Sequence, residues 1–497
     1  MLLLYWASDG PARPLASTGN FTAALDRKEA QTEKDENQAP ARGRTASIKS
    51  ALKVADPSIS NSLTNQPPRG STPLQPKQGR VQVTLRALRY RNFQLFFSGQ
   101  LISLIGTWMQ TVAQSWLVYR MTGSSLLLGL VGFASQIPVF LIAPLGGMVA
   151  DRYNRHRVII ATQTTAMLLA GVLAGVTLLG VVQVWHVFVL ASFLGVVNAF
   201  DIPARQAFLV DMVGKEDLMN AIALNSSMFN GARIIGPAIA GVLVAKIGEG
   251  WCFFANAVSY IAVIIGLFMM KLPPRIYQRH SASPMAHIIE GFRFARETGP
   301  IRAILLLLGL VSLVGMPYTV LMPIFADRIL HGGARGLGIL MGATGVGALL
   351  GALTLASRTG VSGLGRWVAF SCAGFGVSLF LFSWSRHFWL SVALLLPVGF
   401  SMMLEMSSSN TLIQAMVPDH LRGRVMAMYS MMFMGMAPFG ALIGGALADR
   451  LGAPLTVSIG AAACIGGAIW FGMYLPKIRV EARQLIVQQT VGGGEPS

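Results

Sequence analysis

The sequence predicts an all-α membrane protein with twelve transmembrane helices arranged as two pseudo-symmetric six-helix bundles. Three observations carry that prediction. Of 497 residues, 53% are hydrophobic and only 12% are charged, whereas soluble domains carry about 25% charged residues. From Phe93 onward, apolar stretches recur between short polar breaks, each near the ~20 residues that a spanning helix needs. A shift that lays Glu405 over Asp201 also superposes the flanking sequence without gaps.

The elements follow in chain order. Residues 1–84 are rich in Ser, Thr, Pro, Gln, Asn, Lys and Glu, as in QTEKDENQAPARGRTASIKS. Such a segment cannot bury enough apolar surface to offset its ordering entropy, and it reads as a disordered N-terminal tail. The opening MLLLYWA lacks a basic flank, and its apolar core is too short for a signal peptide. The tail is either a dispensable appendage or the product of a start assigned upstream, because membrane-like sequence begins only near TLRALRYRNF.

The N-terminal bundle, 85–271, holds candidate spans at 94–119, 125–150, 157–180, 186–212, 219–247 and 250–271. A cytoplasmic linker, 272–300, contains SPMAHIIEGFRFARET. Ser283 suits an N-cap and Pro284 the first helical position, which puts Met285, Ile288, Ile289 and Phe292 on one face. This amphipathic helix lies either on the inner membrane surface, with Arg293 and Arg296 near anionic headgroups, or against the cytoplasmic ends of the bundle. The C-terminal bundle, 301–476, holds spans at 301–326, 336–357, 366–384, 387–416, 423–449 and 453–475, and a C-terminal tail covers 477–497.

Basic residues give the chain a net charge of +18, and they gather at the ends of apolar segments. One set of loops holds Arg86, Arg89 and Arg91, the arginines of 152–157, Lys271 and the linker arginines, and Lys477 with its neighbours. The opposite loops hold far fewer, such as Arg120, Lys246 and Arg328. By the positive-inside rule both termini and the linker are cytoplasmic. No basic stripe is interleaved with exposed aromatics, so nucleic acid is not an expected partner. Cys252, Cys372 and Cys464 lie far apart inside apolar runs, without metal or disulfide spacing, and read as packing residues. The histidines are scattered, and no Gly-x-x-x-x-Gly-Lys pattern is present. An enzyme or an ATP-driven pump is therefore disfavoured, and no cofactor or metal is implied.

The repeat pairs DIPARQAFLVDMV (201–213) with EMSSSNTLIQAMV (405–417). Further on, Gly231, Gly236 and Gly241 fall on Gly435, Gly440 and Gly445, and Lys246 on Arg450. Helices four and five thus correspond to helices ten and eleven. Parallel repeats about an axis normal to the membrane are a transporter architecture in which substrate passes between two halves near the midplane.

Three sets of residues carry the mechanism. GGMVADRYNRHR (146–157) closes the second helix. Gly146 and Gly147 permit close helix approach, Asp151 can accept from a helix N-terminus or pair with an arginine, and Arg152, Arg155 and Arg157 add charge. The alternative is ordinary positive-inside decoration. In helix five, GARIIGPAIAG places Gly231, Gly236 and Gly241 five residues apart, with Pro237 beside the middle one; these either shape the helix or are plain packing glycines. The third set is charged. Asp201 and Arg205 lie one turn apart within helix four, around Pro203, while Arg233 sits near the middle of helix five. A charge at mid-helix costs roughly 2.5–3.5 kcal/mol on insertion scales and usually faces a water-filled path. Asp201 either pairs structurally with Arg205 or Arg233, or takes part in transport. Glu405 has no basic residue on its own helix, and an unpaired carboxylate in low dielectric can take and release protons. Glu405 is therefore the first candidate for proton coupling and Asp201 the second. Gln110, Gln114, Gln136, Asn198, Asn230, Tyr318 and Asn410 are candidates for a substrate path, each also readable as an interhelical hydrogen bond. Trp108 and Trp116 can supply aromatic surface.

From residue 86 to about 476 the chain resembles the major facilitator superfamily, in particular the bacterial branch that includes the enterobactin exporter. The likeness rests on Gly147-x-x-x-Asp151-Arg152 with its basic cluster, on LRYRNFQLFFSGQLISLIGTWMQ, FDIPARQAF and VPDHLRGRVMAM, and on the helix-five Gly-Pro motif. Two positions depart from the pattern: Asn154 and Ala240 stand where glycine is usual. In the second half the matching loop is ASRTGVSGLGR, with Ser357 in place of the acid. The resemblance implies that Asp151 belongs to a latch holding the cytoplasmic side closed, and that the protein is a bacterial inner-membrane exporter driven by proton antiport. The expected substrate is a small organic molecule: a siderophore, drug or metabolite. Other partners are the lipid bilayer and protons, and the chain acts as a monomer. An uptake permease or uniporter of the same fold is the alternative, and a non-transporting receptor would need an ordered extramembrane domain that the sequence lacks.

Overall fold

A computed structural model describes residues 86–492 apart from 215, 273–283, 359 and 362, and only the backbone of 284–289 and 487–492. The expected tail at 1–84, the Ser283 cap, the apolar face built on Met285, Ile288 and Ile289, and the last five residues lie outside what it describes. No strand occurs among the described residues.

A 3-10 turn, Arg86–Arg89, leads into α1, Arg91–Thr122. Gly123 ends α1 in the left-handed region (φ 60°), and its N–H donates to the Tyr119 carbonyl. Helix α2, Ser125–Arg152, starts where the Ser124 hydroxyl accepts from the Leu127 N–H. Helix α3, Arg155–Leu178, starts in the same way on Asn154, whose side chain accepts from the Arg157 N–H. The departure from glycine at this position is thus a helix cap. Helix α4, Val184–Val213, opens with a reciprocal box between Gln183 and His186 and carries Pro203 inside. Helices α5, Leu218–Ile247, and α6, Glu249–Phe268, meet at Gly248 (φ 88°).

Helix α7, Pro284–Glu297, follows. Its Glu290 pairs with Arg424, and Ala295 is fully buried. Of the two expected placements, these contacts fit packing against the ends of the helices. Helix α8 runs through Gly299–Ile329, with π turns at Val311–Gly315 and Phe325–Ile329. Helices α9, Gly333–Ala356, α10, Leu364–Trp384, α11, Phe388–Met416, and α12, Asp419–Leu451, come next. Helix α13, Ala453–Gly492, continues through Pro476, well past the expected end of the last span.

Eleven of these helices are long and apolar enough to cross a membrane. Helix α1 is as long, at 32 residues, but Gln100, Thr107, Gln110, Thr111, Gln114 and Ser115 make it more polar.

Packing repeats between the two parts of the chain. Helix α1 packs on α5 and α6, α2 on α4, and α3 on α4 and α6. Likewise α8 packs on α12 and α13, α9 on α11, and α10 on α11 and α13. The most extensive contacts between the sets are α2 with α12 and α5 with α9.

Repeat-related glycines make these crossings. A Cβ on Gly241 of α5 would come 3.0 Å from Gly338 Cα of α9, and one on Gly445 of α12 would come 2.8 Å from Gly129 Cα of α2. Backbones this close leave no space for a side chain, and in hydrocarbon such packing replaces the hydrophobic effect as the source of helix association. At the opposite end of α1, Phe93, Phe96, Ile159, Phe208 and Leu267 form an apolar cluster. There the 3-10 turn is tied down by Asp217, which accepts from Arg89 (2.7 Å) and the Tyr90 hydroxyl (2.7 Å) and pairs with Arg86 (3.2 Å).

Candidate functional site

Helix α1 presents Trp108, Thr111, Ser115 and Val118 at helical spacing along one face. That face borders a cavity of about 310 Å³. Helix α2 contributes Gly132, Ser135 and Gln136, α5 contributes Arg233 and Pro237, α8 contributes Met316, Tyr318 and Thr319, and α9 contributes Met341 and Thr344. The walls thus come from both sets of helices. Gly236 permits the close wall between α1 and α5, since a Cβ there would sit 2.5 Å from the Cβ of Trp108. Arg233 then lies over the Trp108 ring at 5.7 Å.

Just beyond Val118 on the cavity wall, the two sets of helices are tied together. The Tyr119 hydroxyl, near the end of α1, donates to Asp327 of α8 at 2.8 Å. Arg328 lies over the Tyr119 ring at 5.6 Å and donates to the Gly123 carbonyl at 3.2 Å. Ser124 adds a bond to Asp449 of α12 at 3.4 Å. The two glycine crossings lie at this same end of the helices.

The cavity gathers Gln114, Gln136, Tyr318 and Arg233 from the expected site residues. Gln110 is instead buried, accepting from Asn256 of α6 at 2.7 Å. Asn230 donates to the Ser226 carbonyl at 2.9 Å, and Asn410 accepts from Gln414 at 2.6 Å. Asn198 does not line the cavity. Thr111, Ser115, Ser135, Thr319 and Thr344 were not singled out from sequence. The spacing of Trp108, Thr111 and Ser115 was the available signal.

The two intramembrane acids have different surroundings. Asp201 is 3% exposed and satisfied: it pairs with Arg205 at 3.0 Å and accepts from Thr162 (2.8 Å) and Gln163 (3.0 Å) of α3. Arg205, not Arg233, is therefore its partner. Glu405 is 1% exposed, and neither carboxyl oxygen has a hydrogen-bond partner among the described residues. The hydroxyls of Ser408 and Ser409 on the same helix are also unpartnered. Cys372 of α10, Tyr429 of α12 and Cys464 of α13 lie within electrostatic reach of Glu405. Neither acid borders the cavity.

At the α2–α3 loop, Arg155 reaches Asp151 at 3.7 Å and Asp211 at 3.3 Å, and donates to the Ala207 carbonyl at 3.1 Å. The loop is thereby fastened to the end of α4, while Arg152 and Arg157 are exposed. The close helix approach falls on Gly146, which abuts the Ala199 carbonyl, whereas Gly147 has open space beside it. In the Gly-Pro motif, Gly236 and Gly241 are close-packed and Gly231 is open.

The family described as transmembrane secretion effector, within the major facilitator superfamily, matches residues 82–491. The staphyloferrin A transporter of Staphylococcus aureus is 27% identical over 369 residues, covering 73% of this chain and 91% of that protein. The enterobactin exporter EntS of Shigella boydii is 28% identical over 393 residues, covering 79% and 92%. The crystal structure of the nucleoside transporter NupG superposes with a TM-score of 0.62 at 16% identity, covering 79% of this chain and 99% of that one. That last likeness bears on fold alone.

Proposed function

This chain belongs to the transmembrane secretion effector family, a family of membrane transporters, and from that premise we propose that it exports a small organic molecule by alternating access coupled to proton antiport. Twelve spanning helices, with α1 as the first, form two six-helix halves, α1–α6 and α8–α13. Helix α1 is polar in part because Thr111, Gln114 and Ser115 wall the substrate path. Both termini and α7 face the cytoplasm, since the basic loops gather on that side. The membrane is the bacterial inner membrane, and the chain works as a monomer. The substrate is of siderophore, drug or metabolite type, in keeping with the siderophores named for its relatives.

The observation that supports this reading most is a cavity walled by α1, α2 and α5 on one side and α8 and α9 on the other. A space between two repeat-related halves, tied at one end by Tyr119–Asp327, can open alternately as the halves rock. Glu405 carries the coupling proton, because its buried carboxyl has no bond among the described residues that fixes its charge state. Its protonation biases the two conformations without direct substrate contact. Asp201, held by Arg205, is the second candidate.

Everted vesicles carrying the full chain, screened over siderophores, drugs and metabolites, are expected to show a substrate-dependent pH change. Glu405→Gln should abolish it, a loss of at least roughly tenfold, while the protein still inserts. An undiminished pH change with Glu405→Gln removes Glu405 from the mechanism. Transport that ignores an imposed pH gradient removes antiport.

A further inference from the structure

Arg233 is the only charged residue on the cavity wall among the described residues; no aspartate or glutamate lines it. The guanidinium forms no ion pair with any described carboxylate, and it lies over the face of Trp108. Beside it on the wall, Tyr318 is 1% exposed and its hydroxyl has no hydrogen-bond partner among the described residues. The cavity wall therefore carries one permanent positive charge, with a buried, unpartnered hydroxyl beside it among the described residues.

An arginine is charged at any pH the membrane meets, so it cannot escape its cost by losing a proton. Isolated charge within hydrocarbon is expensive, and it is retained where a partner completes it. The repeat-related position in α12 is Ala437, so packing of these helices does not itself require a charge there. The guanidinium fork matches a planar oxyanion with two parallel hydrogen bonds. Trp108, Met316 and Met341 supply apolar, adaptable surface for an organic body, and Gln114 and Gln136 supply amides.

We propose that this cavity is a binding site for organic anions, with the substrate's carboxylate or equivalent oxyanion seated on Arg233 and accepting from the Tyr318 hydroxyl. The proposal rests on the export reading for its physiological meaning, since it names the substrate class of the same site. A cationic compound would meet Arg233 without any acid to balance it, so organic cations are excluded.

The test uses the purified full chain in detergent micelles and equilibrium dialysis, with no gradient. The probes are 2-naphthoate and citrate, with 2-naphthamide as the uncharged counterpart of the first. Saturable binding of at least one anion is expected, with 2-naphthamide about tenfold weaker or worse than 2-naphthoate. Arg233→Gln should weaken anion binding by about tenfold or more, and Arg233→Lys, which keeps the charge but not the fork, by less. Tyr318→Phe, which leaves the guanidinium in place, should weaken it a few-fold, and this variant keeps the proposal testable if Arg233→Gln fails to assemble. Equal affinity for 2-naphthoate and 2-naphthamide, unchanged binding in Arg233→Gln, or no saturable binding of either anion overturns the site. Anion-selective binding without gradient-driven efflux would instead sink the export reading and leave the anion site standing. Efflux that Arg233→Gln leaves unchanged would do the reverse.

Discussion

Asp201 and Glu405 superpose in the repeat, yet only the first is neutralised. Thr162 and Gln163 of α3 and Arg205 one turn along α4 consume the Asp201 acceptors, and no such set surrounds Glu405. The sequence showed the absence of a basic residue beside Glu405 on its own helix. It could not show which residues of α3 reach Asp201, because that depends on how two helices cross. A charged group outside the membrane behaves differently. The Tyr90 hydroxyl bonded to Asp217, reinforced by Arg86 and Arg89, holds this carboxyl below its ordinary value. Its folded pKa is depressed, so its stabilisation is complete above the ordinary aspartate range near ~4 and is lost as pH falls through the lower folded value. Asp217→Asn should therefore lower the thermal midpoint at pH 7, and the gap to the parent should close on acidification below pH ~4. A gap that persists unchanged in acid would show that Asp217 acts through packing.

At the scale of elements, glycine spacing was legible and its consequence was not. The repeat paired Gly241 with Gly445, and the structure seats them against Gly338 and Gly129, which the repeat had not singled out. A side chain at Gly338 would press on the Pro237 carbonyl at 2.5 Å. Gly338→Leu should cost roughly 1–3 kcal/mol of the close-packed arrangement. A shift of that size changes a two-state population by roughly 5- to 150-fold. The variant is expected to insert normally, to transport poorly, and to expose a cysteine placed at Thr344 to a membrane-impermeant thiol reagent from the tied end. Parental rates of transport and labelling would show that the seam does not set the conformational balance. The helix caps were partly readable. Asn154 looked like a departure from a glycine pattern, and the Asn154–Arg157 bond makes it the start of α3.

For the whole molecule, the tie between Tyr119 and Asp327 joins α1 to α8 across the two sets of helices. If the halves rock, that contact must break in every cycle. Cysteines at both positions, bridged by a short bifunctional thiol reagent, should stop transport, and cleavage of the bridge by reductant should restore it. The native cysteines are buried and unpaired among the described residues, which limits background reaction. Continued transport at the untreated rate would exclude opening at this end.

The sequence by itself determined the all-helical membrane class, the order and approximate limits of the helices, and the repeat, because hydropathy, helical period and glycine spacing are properties of contiguous residues. Tertiary structure alone decided which charges neutralise each other and which face a cavity. It joined Asp201 to Arg205 and left Arg233 against Trp108 on the cavity wall. Those outcomes depend on the rotation and crossing of helices far apart in the chain, and a shift of one residue in the facing helix would turn a bonded side chain away from its partner.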